Sequence, residues 1–178
     1  MPDVVADPLL VSRLARAALA SGDRPVVLLD GRSGSGKTTL GAALARALDA
    51  QLVGLDDVYP GWDGLNAASL TVSREILRPD SPGYHRWDWD RSEPAGWRAL
   101  DADDLLVVEG AGALTPASAR LATLRLWIEL DAPERRSRVL GRVDGDTYAA
   151  TELWDVWAAQ EEAHIRRHAP RALADVVL

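Results

Sequence analysis

The chain has 178 residues, 47% hydrophobic and 26% charged, which is the balance of a globular protein with a well-buried core, and a single domain over 1–178 is expected. Its net charge of −7 is spread along the chain, so no basic field exists to gather a polynucleotide or an anionic membrane, and neither is expected as a partner. The absence of cysteine excludes disulfides, thiolate nucleophiles and cysteine zinc sites; with no basic leader and no apolar run near about 18 residues, the sequence reads as cytoplasmic.

Leu9, Leu10, Leu14, Ala17 and Ala18 recur at helical spacing, predicting an amphipathic helix over 8–20 with Gly22 as its C-terminal stop. Val26 to Asp30 is a continuous apolar run between Pro25 and Gly31 and reads as a buried strand. The alanine- and leucine-rich stretch from Lys37 to Asp49 reads as a helix. A second strand is expected over 51–55, ending at Asp56 and Asp57, and a helix over 66–77, stopped by Pro79. The stretch 80–96 mixes glycine, proline, aromatics and charges without periodicity, and reads as a functional loop or insert.

Further strands are expected over 105–108, running into Glu109, and over 124–130. Asp131 is expected to cap a helix with Pro133 in its first turn, carrying Arg135, Arg136, Arg138 and Arg142. Gly145 breaks that helix, Asp146 can cap the next, and Thr147 to about Arg167 reads as one long helix. Residues 174–178 form a last short strand. Short apolar strands alternating with helices predict an α/β fold of three layers, with a mostly parallel five-stranded sheet between helices.

One motif dominates. Gly31-Arg32-Ser33-Gly34-Ser35-Gly36-Lys37-Thr38 fills G-x-x-x-x-G-K-[ST] between a predicted strand and a predicted helix. Lys37 is the only lysine in a chain whose other basic residues are all arginine, and it falls on the one position where a compact ammonium is required. Gly31, Ser33, Gly34, Ser35, Gly36, Lys37, Thr38 and Thr39 are therefore expected to cradle the phosphates of ATP, with loop amides and a helix N-terminus facing the anion. Thr38 is expected to hold Mg²⁺, and Glu109 at a strand end is the candidate to orient a metal-bound water.

A GTPase of the common kind needs a second lysine to read its base, so that class is excluded, and motor ATPases are usually larger. A small phosphotransferase remains. Asp56 and Asp57 sit where ligands gather in a doubly wound sheet, and either carboxylate can meet an acceptor hydroxyl. Arg135, Arg138 and Arg142 share a helix face and are expected to clamp phosphate oxygens from a small lid over about 135–147. His164 and His168 share another helix face without a third ligand candidate, and are expected at the surface or facing the lid.

The blocks Gly31 to Thr38, Asp56-Asp57-Val58-Tyr59, Glu109-Gly110 and Asp131-Ala132-Pro133 with its trailing arginines resemble those of the uridine kinase group of P-loop kinases. The resemblance implies Asp56 as catalytic base, Tyr59 as the matching aromatic, and Arg135, Arg138 and Arg142 as lid residues. Lys37, Asp56 and Arg138 form the expected catalytic set, with Arg138 and Arg142 also on the nucleotide and Arg135 on the acceptor side.

The acceptor segment, about 57–97, departs from that family by reading Tyr84-His85-Arg86-Trp87-Asp88-Trp89. With Asp57, Tyr59 and Trp62, the residues Tyr84, Arg86, Trp87 and Asp88 are expected to form a pocket for a polar ring. The expected activity is transfer of the γ-phosphoryl group of Mg·ATP to a hydroxyl of a nucleoside. A non-nucleoside alcohol, a nucleoside monophosphate contacted by Arg74, Arg78 and Arg86, or a regulatory nucleotide-binding module without turnover are the alternatives. Monomer and homodimer remain open.

Overall fold

The computed structural model describes residues 7–22, 24–141 and 147–178. Five parallel strands form the main sheet: β1 (Val26–Gly31), β2 (Gln51–Gly54), β5 (Leu106–Glu109), β6 (Leu124–Ile128) and β7 (Val176–Val177), in the spatial order β2-β5-β1-β6-β7. Helices α1 (Pro8–Leu19) and α2 (Lys37–Leu48) cover one face. The other carries α3 (Leu65–Thr71), extended by a π turn over Val72–Ile76, and the short α4 (Pro116–Ala119).

Alternation along β1 explains why its whole run is apolar. Val27 and Leu29 pack with Leu14, Leu40 and Leu44 on the α1/α2 side, while Leu28 packs with Leu55, Leu65 and Ile76 on the other. A strand buried on both faces has no polar side to show, so it loses the period-2 pattern and reads as a block. Parallel pairing puts the carboxyl ends of β1, β2 and β5 together, and Gly31, Gly54 and Glu109 arrive at one edge of the sheet.

Helix α1 is capped by Asp7, whose carboxylate accepts from the Leu9 amide, and it ends at Leu19, before Gly22. Asp131 precedes α5 (Ala132–Leu140) as expected, but its side chain makes no capping bond; its carbonyl accepts from Arg135 N–H. The long helix α6 (Thr147–His168) is followed by α7 (Pro170–Leu173) and β7. Gly145 and Asp146, read as a break and a cap, lie outside the described residues.

The largest difference from the sequence reading is at 80–96. This stretch is not a loop but most of an antiparallel hairpin, β3 (Gly83–Asp88) with β4 (Glu93–Ala99), whose register shifts between His85 and Trp87. Among the described residues no helix is long and apolar enough to cross a membrane.

Candidate active site

The glycine-rich turn joins β1 to α2 as the motif demands. Gly36 at φ +101° starts the helix, and buried Lys37 donates from Nζ to the Arg32 carbonyl at 3.0 Å. Gly34 has φ +81°, and a Cβ there would lie 2.5 Å from the Arg135 carbonyl oxygen, so the loop rests against α5 with no room for a side chain. Ser33 is held through both of its backbone groups. Its carbonyl accepts from Arg135 Nη1 at 3.1 Å, and its N–H donates to Glu161 Oε1 at 2.5 Å.

From this loop a cleft of about 360 Å³ opens toward Asp56, Glu109 and Ala111, and its far wall is aromatic: Tyr59, Trp62, Trp89 and Trp157. The rings meet edge to face, Tyr59 and Trp157 at 4.7 Å, Trp62 and Trp89 at 5.3 Å, and Trp62 and Trp157 at 6.4 Å between centroids. Asp56 lies in a 3-10 turn, Leu55–Asp57, directly after β2. The hairpin seats against that turn, since Trp89 Nε1 donates to the Asp56 carbonyl at 2.8 Å. Tyr59 is buried and donates to the Ala111 carbonyl at 2.9 Å; burial first, then the Asp56 carboxylate, holds its phenol well above the usual range.

Glu109 ends β5 beneath Thr38. Its side chain is 4% exposed and lies against the α2 backbone, so close that a Cβ on Gly41 would come 2.9 Å from Glu109 Cγ. Burial pushes its carboxyl up from 4.5 to about 7, opposed by the Lys37 ammonium and by a hydrogen bond from Thr38. The neutral form is thus favoured in the folded protein. Its contribution to stability is full below pH 4.5 and is lost as pH rises through about 7. Urea unfolding at pH 5 and pH 8, without nucleotide or metal, is expected to show wild type losing on the order of 2–3 kcal/mol more than Glu109→Gln across that interval. Equal losses in the two proteins would refute the burial assignment.

Several residues expected in the acceptor pocket lie elsewhere. Tyr84 is fully buried in the core, its hydroxyl accepting from Arg98 Nη1 at 3.2 Å. Arg86 and Trp87 line a separate small cavity between the hairpin and α3, and the Asp88 carboxylate accepts from the Asp90 and Arg91 amides to close the hairpin turn. The physical reason is strand alternation around the register shift, which leaves Trp89, past the strand end, as the residue of this segment that reaches the cleft. Asp57 is exposed and does not line the cleft.

Arg135 is 4% exposed; it donates to the Leu130 and Ser33 carbonyls and stacks on Trp154, so it braces the loop instead of meeting an acceptor. Arg138 donates to Glu134 one turn earlier on α5. Arg142 lies outside the described residues. His164, expected at the surface or facing the lid, is buried, with Nε2 3.1 Å from the Leu114 carbonyl and 3.6 Å from Asp30 Oδ2, and the His168 ring lies tilted against it at 4.9 Å between centroids. Asp30 in turn accepts from the Gly31, Gly112 and Leu114 amides and ties the phosphate loop to the segment after β5.

The helical spacing along α6 marks Trp157 as core, which its burial bears out, but gives no sign that Trp157 also lines the cleft or that Glu161 reaches the phosphate loop. Glu161 carried a usable signal, because a carboxylate on a face shared with two tryptophans must find donors of its own.

Fold and loop together define a class: a three-layer α/β protein with a phosphate-binding loop between its first strand and the following helix. No family model matches the sequence. The chain is 29% identical over 134 residues to a shikimate kinase of Corynebacterium efficiens, an alignment covering 72% of each chain. A candidate fructose transport system kinase from Silicibacter sp. TM1040 superposes with a TM-score of 0.64 at 19% identity, covering 89% of this chain and 94% of that one. A candidate uridine kinase from Bacillus stearothermophilus gives 0.62 at 17%, covering 94% and 96%. The chain shares its fold with both of these structures.

Proposed function

We propose that the protein is an ATP-dependent kinase that moves the γ-phosphoryl group to a hydroxyl of a small ring-bearing acceptor. The observation that carries this is one cleft shared by a phosphate loop, a strand-end carboxylate and an aromatic wall. The amides of Gly34 to Thr39 and the Lys37 ammonium hold the donor phosphates. Asp56 accepts the proton of the attacking hydroxyl as the O–P bond forms and ADP leaves. Tyr59, Trp62, Trp89 and Trp157 orient the acceptor ring and exclude water that would otherwise hydrolyse ATP.

The Thr38 hydroxyl and the Glu109 carboxylate are hydrogen-bonded neighbours, an all-oxygen pair suited to Mg²⁺ and its waters. When bound, that ion supplies charge neutralisation at the β and γ oxygens. Arg138 on α5 is proposed to cover the phosphates, together with Arg142.

A nucleoside is the first acceptor to test, by resemblance and because stacking walls suit a flat base. The second reading, a non-nucleoside alcohol, is favoured by the hairpin, which keeps Tyr84, Arg86, Trp87 and Asp88 out of the cleft. A nucleoside monophosphate is less well served. Among the described residues Lys37 is the one cation lining the cleft, and Arg78 instead donates to the Ser81 carbonyl and stacks on Trp97. ADP release should be measured with uridine, cytidine, adenosine, their monophosphates, shikimate, fructose and simple polyols. Release that depends on one of them is expected; ATP binding with no acceptor-dependent release across the panel would point to a regulatory module.

A further inference from the structure

We infer that Glu161 is a positioning residue that couples the aromatic wall of the cleft to the phosphate loop, so that Trp157 influences nucleotide binding through it. The inference rests on the proposed nucleotide role of the loop but does not depend on the identity of any acceptor.

Glu161 is 3% exposed and belongs to α6, on the far side of the cleft from α2. Three donors converge on it. Oε1 accepts the Ser33 amide at 2.5 Å and the Trp157 indole at 3.1 Å, and Oε2 pairs with Arg32 Nε at 3.2 Å. One carboxylate oxygen therefore joins a loop amide to an indole that faces the cleft, with no atom between them but its own.

The carbonyl of Ser33, in the next peptide unit, is fixed as well, by Arg135 from α5. Two donors thus hold the buried carboxylate while a guanidinium neutralises it, and the loop amides beyond Ser33 are left to point at phosphate. A shared acceptor atom also makes the two hydrogen bonds interdependent. A rotation of Trp157 that weakens its bond shifts Oε1, and Oε1 carries Ser33 with it.

The consequence is directional. Removing the Glu161 carboxylate frees the Ser33 amide and lets the loop relax from its phosphate-ready form. Replacing the indole by a phenyl ring, which removes the N–H donor but keeps an aromatic side chain, transmits a smaller disturbance by the same route, and none once Glu161 is gone.

The test is a double-mutant cycle on nucleotide affinity, using Mg·AMPPNP as the probe and calorimetry as the readout. Glu161→Ala is expected to raise Kd about 10- to 100-fold, the range seen when an outer partner of a binding group is lost. Glu161→Gln keeps an oxygen for Ser33 and Trp157 and should stay within about fivefold of wild type, a rescue that loss of folding would not show. Trp157→Phe should raise Kd about three- to tenfold in the wild-type background and leave it unchanged within error in the Glu161→Ala background.

Additive effects of Trp157→Phe and Glu161→Ala overturn the coupling. So does a Glu161→Gln protein as impaired as Glu161→Ala, or a Glu161→Ala protein with wild-type affinity. Should Glu161→Ala fail to fold, the cycle is run on Glu161→Met, which fills the space without an oxygen acceptor, and a Trp157→Phe effect there as large as in wild type overturns the route through the carboxylate. Wild-type protein that does not bind Mg·AMPPNP overturns both this inference and the nucleotide reading. Binding without acceptor-dependent ADP release overturns the kinase reading and leaves the inference standing.

Discussion

Lys37→Arg is expected to lower phosphoryl transfer by about 10²- to 10³-fold although it preserves the charge, the loss typical of removing one preorganised group from a developing anion. The reason is shape. Lys37 is 8% exposed and its Nζ already sits 3.0 Å from the Arg32 carbonyl, inside a turn whose Gly34 is pressed onto the α5 backbone. A planar guanidinium has no slot there and must either push the loop open or leave the cleft. Lys37→Ala adds a second effect, because the ammonium is what restrains the Glu109 carboxyl; without it Glu109 is pushed further up. The direct measurement uses an acyl-phosphate ATP probe, which acylates amines beside the γ-phosphate. As Lys37 is the sole lysine, labelling can fall only there or on the N-terminal amine. Labelling at Lys37 that excess ATP suppresses is the expected result, and labelling indifferent to ATP would sink the phosphate-loop reading.

The features that could be read from the sequence are those whose cause is local. The phosphate loop is one contiguous turn, and its glycines are required by backbone geometry within eight residues. β1 and β5 were legible because burial on both faces makes their leading residues, 26–29 and 106–108, apolar without a break, and α1 and α2 because leucine and alanine recur at the helical step. The hairpin was not. Its turn puts Ser92 rather than glycine at φ +53°, and β4 is mostly exposed, so neither a turn signal nor a clean alternation marks it.

The far half of the site was hidden for a different reason. Trp157 and Glu161 reach the loop from more than a hundred residues away, and only the packing of α6 across the cleft puts Glu161 on Ser33. Tyr84 and Arg135 failed as pocket residues because residue type was read as role. A tyrosine and an arginine can satisfy their polar groups within the body of the protein, as Tyr84 does with Arg98 and Arg135 with two carbonyls. Conversely Asp56 could be separated from Asp57 only once the fold was known: both are exposed in the 3-10 turn after β2, but of the two it is Asp56 that lines the cleft.

That separation makes Asp56→Asn the most informative substitution on the acceptor side. Under the proposed reaction it removes the group that takes the hydroxyl proton, and kcat for the active acceptor is expected to fall about 10²- to 10⁴-fold. The change is conservative in shape. The hairpin is seated through the backbone carbonyl of residue 56, which asparagine retains, so the Trp89 bond and the aromatic wall survive. Affinity for Mg·AMPPNP should accordingly stay within about threefold, which separates loss of a proton acceptor from loss of the donor site. Asp57→Asn, one residue away but exposed and outside the cleft, should leave kcat within about twofold and serves as the matched control. An Asp56→Asn protein within about tenfold of wild type would remove general-base catalysis from this position, because transfer would then be carried by positioning and charge alone. In that case Glu109 becomes the carboxylate to test next. It lines the same cleft, and with its carboxyl held near 7 its replacement by glutamine should lower the plateau of the pH–rate profile and remove the acid limb with it.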